Sequence, residues 1–296
     1  MGCGFGREHS EEQKREGEQY KRMVVKEKRA QERRVSRTSN LQTAICLLIP
    51  LFAIIIAGLV LFTKEVNSGP SLFCFALILS DSYEVALLRK QHDRGVGLFS
   101  CDGSRVYSDK AVQLSEREYV RAHVLPGPLR VGRDPTYNFA LNARVFLRLW
   151  QRVWQDVEFM QFEWTIKVDA DTVFLPGRLR DHLRKGPAAT RSVIYVNCRF
   201  GMHGPIEVLS RVAVQDYRDG LAQCTAKRGP QLDLEGEDIW MGHCMELLGV
   251  EQQEDYDMLA EKACMENPFP CYSGKVAFHP LKRADKYFEC LDQAER

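Results

Sequence analysis

Three short segments carry the side chains best placed to do chemistry in this chain. In the first, Trp164, Ile166 and Val168 alternate with Thr165 and Lys167 at strand spacing, so Asp169 and Asp171 fall just beyond a strand end. Ligands of open α/β sheets bind beyond the carboxyl ends of strands. Two carboxylates one residue apart there can turn toward one hard cation, Mn²⁺ or Mg²⁺, with diphosphate and water oxygens completing an octahedral shell. A plain turn with surface carboxylates fits the same letters. In the second segment, Gly236-Glu237-Asp238 precedes Met241, Cys244, Met245 and Leu248, whose spacing marks a buried helix face. Its carboxylates sit in the first helical turn, where the macrodipole favours the charged form. Asp238 then either helps the helix start, an effect of about 0.3–1 kcal/mol, or serves as an ionised general base toward a hydroxyl. The third segment is Phe278-His279-Pro280. A lone histidine is commonly a packed residue, but a neutral imidazole at His279 can add a donor to a cation.

These residues need elements to hold them. Leu72–Leu79 is almost wholly apolar, as in a strand buried on both faces, and Asp81-Ser82-Tyr83-Glu84 resembles a capping box opening a helix through Leu87, Leu88 and Gln91. A short strand is expected around Val96–Ser100. Phe139, Ala143, Phe146, Trp150, Val153 and Val157 recur at helical spacing; Ser192–Val196 reads as a strand, and Leu209, Ala213, Tyr217 and Cys224 as a helix stripe. Strands alternating with helices imply an α/β layered domain. No code is readable in the loop 102–137.

The chain has 296 residues, 45% hydrophobic and 27% charged, with a formal net charge of +1. That balance excludes a wholly disordered chain and a strongly cationic nucleic-acid binder. The uncharged run Leu41–Thr63 is long enough, at about 1.5 Å per residue, to cross a hydrocarbon core of roughly 30 Å. A signal peptide or a buried core helix is the alternative, but no A-x-A-like cleavage site follows. Lys26, Lys28, Arg29, Arg33, Arg34 and Arg37 crowd its N-terminal flank, whereas Lys64 stands almost alone on the other side, so the N-terminus is expected in the cytosol. The expected organisation is a basic tail over 1–40, one transmembrane signal-anchor helix over 41–63, a short stem over 64–71 and a lumenal domain over 72–296. Met1-Gly2-Cys3 is a weak lipidation signal, because Gly6 stands where Ser or Thr is preferred. Eight of the ten cysteines lie beyond the span, an even number that suggests disulfides in an oxidising lumen. Cys264 and Cys271 are close enough to close a small loop.

The order of these motifs resembles the fringe-like and beta-1,3-galactosyltransferase glycosyltransferases, which have a GT-A fold. Trp164-Thr165-Ile166-Lys167-Val168-Asp169-Ala170-Asp171-Thr172 resembles that family's strand and Asp-Asp-Asp metal motif, with Ala170 in place of the middle acid. Gly204–Ser210 is similar to its acceptor-side Gly-Gly-Ala-Gly-Tyr-Val-Leu-Ser segment with most glycines replaced. Glu237-Asp238-Ile239-Trp240-Met241-Gly242-His243-Cys244 resembles its Glu-Asp-Val-x-x-Gly-x-Cys stretch, and Phe278-His279-Pro280 its closing segment. The resemblance implies a Rossmann-like mixed sheet flanked by helices. It also implies Golgi (or ER) residence as a single-pass type II protein, and inverting transfer of a hexose-type sugar from a UDP-sugar to a glycan or glycoprotein hydroxyl. In that reading Asp171 and His279 bind Mn²⁺, Asp169 aids directly or through the nucleotide ribose, Asp238 is the base, and Trp240 either packs or stacks on a sugar. Two other readings stay open. Asp169-Ala170-Asp171-Thr172-Val173 also fits the nucleophile motif of haloacid-dehalogenase-like phosphatases, though that motif normally opens its domain. The other is a non-catalytic lumenal binding module of the same fold.

Overall fold

Strand β1 (Leu72–Ile78) is a nearly continuous apolar run buried on both faces, as the centre of a sheet covered by helices on each side requires. The structure, a computed structural model, describes residues 69–115 and 120–296; the basic tail, the expected span at 41–63 and most of the stem lie outside the described residues. Among those described, no helix is long and apolar enough to cross a membrane.

β1 pairs in parallel with β2 (Gly103–Ser108) on one side and β4 (Trp164–Val168) on the other, and β2 with β3 (His123–Val124). β4 runs antiparallel to β7 (Ile206–Ser210), β7 antiparallel to β6 (Val193–Val196), and β6 parallel to β8 (Glu251–Glu254). The order is therefore β3-β2-β1-β4-β7-β6-β8, a mixed sheet in which only β7 opposes the rest. One face of β4 (Trp164, Ile166, Val168) packs with Leu88 of α1 (Tyr83–Arg94) and Leu179 and Leu183 of α3 (Pro176–Lys185). On the opposite face Phe73 and Phe75 meet α2 (Ala143–Asp156), α4 (Arg211–Arg228) and α5 (Glu237–Leu247). There the Phe75 ring meets Trp150 edge-on, 5.0 Å between centroids. A second sheet, order β5-β10-β9, joins β5 (Val173–Phe174), β10 (Ala277–Phe278) and β9 (Leu259–Ala260), and α6 (Ala284–Ala294) closes the chain.

The mixed α/β sheet flanked by helices is as expected. Ser82 caps α1, its side chain accepting from the Glu84 N–H. Glu84 reaches back to the Leu79 N–H rather than to Ser82's own amide, a variant of the expected capping box. Gly95 ends the helix at φ 62°, a left-handed position suited to glycine.

Several expectations are corrected. The strand expected at Val96–Ser100 is a 3₁₀ turn over Gly97–Ser100, and the strand comes later as β2, inside the loop that carries no readable code. The helix expected from Phe139 begins at Ala143. Leu209 belongs to β7, with the following helix starting at Arg211 behind an N-cap at Ser210. Cys264 does not pair with Cys271. The disulfides are Cys74–Cys101, Cys198–Cys264, Cys224–Cys244 and Cys271–Cys290, four covalent ties that fit an oxidising, secretory-type compartment.

Candidate functional site

Antiparallel pairing of Val168 with Ile206 brings the carboxyl end of β4 against the segment that enters β7. The Asp169 N–H donates to Pro205 O (3.1 Å), and the Thr172 N–H closes a turn onto Asp169 O (3.0 Å). Ala170, between the two acids, is 1% exposed, so an acid there would be buried. Asp171 emerges next to β5. The small sheet then places two further groups: Phe278 pairs with Val173 on one side and Ala260 on the other, so His279 and Glu261, the next residues, leave the sheet side by side.

Asp169, Asp171 and His279 accordingly converge, with one ligand-capable atom from each lying within 4.8 Å of the others. His279 Nε2 is 3.3 Å from Asp171 Oδ1 and 4.0 Å from Asp169 Oδ2. Tyr83, at the start of α1, donates its hydroxyl to Asp171 Oδ2 (2.9 Å). His279 Nδ1 lies 3.1 Å from Glu261 Oε1, at ion-pair distance but without hydrogen-bond alignment. The other Glu261 oxygen is 2.9 Å from His203 Nε2, and His203 Nδ1 is 3.1 Å from Asp238 Oδ2. A contact chain thus runs Asp238, His203, Glu261, His279, Asp171, with Tyr83 at its end.

Each charge in this chain is set by its neighbours. Burial opposes the imidazolium of His203, but contacts with Asp238 and Glu261 override it and raise its pKa to about 10. The same opposition at His279, resolved by Asp171 and Glu261, raises it to about 9. Burial would lift Glu261, yet the two histidines hold it at about 2. Asp171 and Asp238 are both lowered against burial, Asp171 by His279 and Tyr83, Asp238 by His203 and the backbone amides of Ile239 and Gly204.

Asp238 stands in the first turn of α5, as its position before the apolar stripe predicts. Its Oδ2 accepts from the Gly204 N–H (3.0 Å) besides His203, and its Oδ1 from the Ile239 N–H (2.8 Å). Gly204, a glycine retained in its segment, is required by close approach: a Cβ there would lie 2.6 Å from Glu237 Oε1.

Beneath these acids lies a group whose role sequence reasoning missed. Lys167 is fully buried on β4 and spends its three donors on Asp169 Oδ1 (2.8 Å), Glu237 Oε1 (2.9 Å) and Gly204 O (2.7 Å). It joins the carboxyl end of β4, the β7 approach and the start of α5. Burial disfavours its charge, but the fields of Asp169 and Glu237 raise its pKa well above the usual lysine range. Glu207, paired with Lys167 across β4 and β7, is buried without a hydrogen-bond partner, and burial pushes its pKa far up, toward the neutral acid. His203 and Glu261 were also missed, since no local pattern marks either. A weak signal existed for Lys167: a cation inside a strand otherwise patterned for burial needs acids nearby. Trp240 is 1% exposed and packs in the core, so it stacks on no ligand.

No family model and no curated protein matches the chain. Among solved structures, the chain is similar to the crystal structure of a glycosyltransferase involved in the glycosylation of the major capsid of PBCV-1. The identity is 9%, the match covers 66% of this chain and 86% of that one, and the TM-score is 0.42. The functional reading therefore stands on the site's own geometry.

Proposed function

We propose that the chain is a metal-dependent, inverting glycosyltransferase that moves a hexose-type sugar from a UDP-sugar to a hydroxyl of a glycan or glycoprotein. The observation that carries this reading is the meeting of the Asp169, Asp171 and His279 donors with the Asp238 carboxylate through one contact chain. Two carboxylates and an imidazole, all within 4.8 Å, are a donor set suited to Mn²⁺ and, less well, to Mg²⁺. A divalent ion held there supplies Lewis-acid charge to a departing diphosphate.

The remaining work belongs to the protein. Asp171 and His279 hold the site, and Asp169, fixed through Oδ1 by Lys167, keeps Oδ2 for the ion or for a ribose hydroxyl. Asp238 is the base. Its Oδ2 is taken by His203 and Gly204, whereas Oδ1 accepts one backbone amide and retains a lone pair for an incoming hydroxyl. As that oxygen bonds the anomeric carbon, its proton passes to Asp238 and the bond from carbon to diphosphate oxygen breaks, its electron pair leaving on the diphosphate. Attack opposite the leaving group inverts the anomeric centre. The lowered pKa keeps Asp238 ionised at any physiological pH.

The phosphatase reading is disfavoured because the third donor beside Asp169 and Asp171 is an imidazole rather than a further carboxylate. A type II orientation, with a cytosolic tail and a span at 41–63 in a Golgi or ER membrane, completes the proposal. The test is a screen of nucleotide sugars for Mn²⁺-dependent hydrolysis, run beside Asp171→Asn and Asp238→Asn. Asp171→Asn should abolish the metal dependence, and Asp238→Asn should lower transfer by about 10²–10⁴ while UDP still binds with Mn²⁺. Activity unchanged in both variants would overturn the assignment, and failure to bind UDP in the presence of Mn²⁺ would favour the binding-module reading.

A further inference from the structure

Glu261 stands behind His279 rather than beside the two aspartates. The groups placed to share a cation are Asp169, Asp171 and His279, and His279 turns its Nε2 to the aspartates and its Nδ1 to Glu261. The imidazole ring thus separates the Glu261 carboxylate from the other two. Both Glu261 oxygens are engaged: Oε1 lies 3.1 Å from His279 Nδ1, and Oε2 lies 2.9 Å from His203 Nε2. The other His203 nitrogen, Nδ1, is 3.1 Å from Asp238 Oδ2. One carboxylate therefore touches a ring that faces the cation site and a ring that faces the base.

The backbone beneath these side chains is fixed from both directions. His279 donates its N–H to Ala260 O (3.1 Å), which sets the ends of β9 and β10 in register. The Glu261 carbonyl accepts from the N–H groups of Cys264 (3.0 Å) and Glu266 (2.9 Å), so the chain turns back directly after the carboxylate. His203 is clamped by Asn197, a side chain 1% exposed whose Oδ1 accepts from the His203 N–H (2.8 Å) and whose Nδ2 donates to His203 O (3.0 Å). Cys198, next to Asn197, is joined to Cys264, at the end of the turn after Glu261. Two segments remote in sequence are bound in this way into one rigid support, as a preorganised site requires.

The two oxygens have different work. An imidazole that ligates a cation through one nitrogen carries its proton on the other, where a carboxylate fixes the tautomer and the ring's direction. Oε1 has that place at His279. Oε2 faces His203 from the side opposite Asp238, so that without it the ring has an acid on one side only and is free to turn away from Asp238.

We infer that Glu261 is a positioning residue shared by the two halves of the site: through Oε1 it aims His279 Nε2 at the cation, and through Oε2 it holds His203 against the Asp238 carboxylate. The inference rests on the metal-dependent transfer reading above and deepens it, since it makes loading of the cation and alignment of the base depend on one side chain.

Calorimetric titration of the full-length chain in detergent micelles with MnCl₂, without nucleotide, reads the affinity of the cation site. Hydrolysis of UDP-hexoses at saturating Mn²⁺ reads turnover on the same samples. Glu261→Gln keeps the shape and loses the charge, whereas Glu261→Asp keeps the charge and withdraws both oxygens by a methylene. Both should bind Mn²⁺ about 10–100-fold more weakly. At saturating Mn²⁺ both should also turn over about tenfold or more slowly. His203→Asn should retain the parent's Mn²⁺ affinity and show only the loss of turnover, with KM for the UDP-hexose unchanged. Glu289→Gln, which removes an exposed carboxylate paired with Lys286, should change neither quantity. The calorimetric stoichiometry counts folded sites, so partial misfolding lowers the number of sites and not their affinity. The inference is overturned if Glu261→Asp binds Mn²⁺ as the parent does, which would leave a charge effect alone. It is also overturned if His203→Asn loses as much Mn²⁺ affinity as Glu261→Gln, or if the Glu261 variants turn over normally at saturating Mn²⁺. A parent that binds no Mn²⁺ overturns both this inference and the transfer reading. A parent that binds Mn²⁺ yet hydrolyses no UDP-hexose overturns the transfer reading and the base-side role with it, while the Mn²⁺ affinities of the variants still decide whether Glu261 positions His279.

Discussion

His203 shows how each member of the site sets the charge of the next. Its imidazolium is held by Asp238 and Glu261, with a folded pKa of about 10 against an ordinary value of 6.5. A group raised on folding contributes stability that is fully present below its unfolded pKa and is lost as pH rises through the folded one. Thermal stability of the metal-free protein should therefore fall between about pH 6.5 and pH 10 more steeply than that of His203→Asn, which lacks the titrating ring. Glu261 works in the opposite sense. Lowered to about 2 from 4.5, its contribution is present above pH 4.5 and is lost as pH falls toward 2, so Glu261→Gln should flatten the acid limb. Parallel melting curves for parent and His203→Asn from pH 7 to 10 would show that the imidazolium holds nothing. In the proposed transfer the same chain would give Asp238 its part: a carboxylate kept ionised by His203 and two amides is a weak base by pKa, suited to taking a proton late, as the acceptor bond forms.

One buried ammonium connects three elements: β4, the approach to β7 and the start of α5 all meet at Lys167. Removing one partner of a buried ion pair costs about 3–5 kcal/mol, because the other charge is left uncompensated. Lys167→Met should therefore lower stability by about that much in urea unfolding. Glu207→Gln should cost under about 1 kcal/mol, since Glu207 is already driven toward its neutral form and its carboxyl has no hydrogen-bond partner to lose. Equal losses in the two variants would mean that the cluster is not organised around the lysine. This junction also shows what was legible in the sequence. β1, β4 and α5 were readable because their apolar runs and periods are local and long, and Asp169, Asp171 and Asp238 followed from where those elements end. β2 was not, because Gly103–Ser108 carries little apolar pattern and is a strand by virtue of pairing with β1. The two-residue strands β5, β9 and β10 have no period at all, yet they alone put Glu261 and His279 beside Asp171. His203 and Glu261 acquire their roles only from partners distant in the chain, a property that no local spacing encodes.

For the whole molecule, the disulfides and the proposed topology constrain each other. The four bridges close separations of 27, 66, 20 and 19 residues, each worth about 2–4 kcal/mol, against a typical total stability of about 5–15 kcal/mol. Two of them act directly on the site's supports: Cys198–Cys264 ties the turn before His203 to the segment after Glu261, and Cys224–Cys244 ties α4 to α5. A domain built in this way depends on an oxidising compartment, and a chain that anchored in the reverse orientation would leave its eight cysteines reduced in the cytosol. In sealed vesicles, a tag after Arg296 should resist external protease until detergent is added, and non-reducing peptide mapping of the protected fragment should recover the four pairs. Reduction after detergent should then make the protected fragment cleavable within the domain. Cleavage of the tag in sealed vesicles, or free thiols at Cys198 and Cys264, would reverse the orientation and with it the access of the site to lumenal sugar nucleotides.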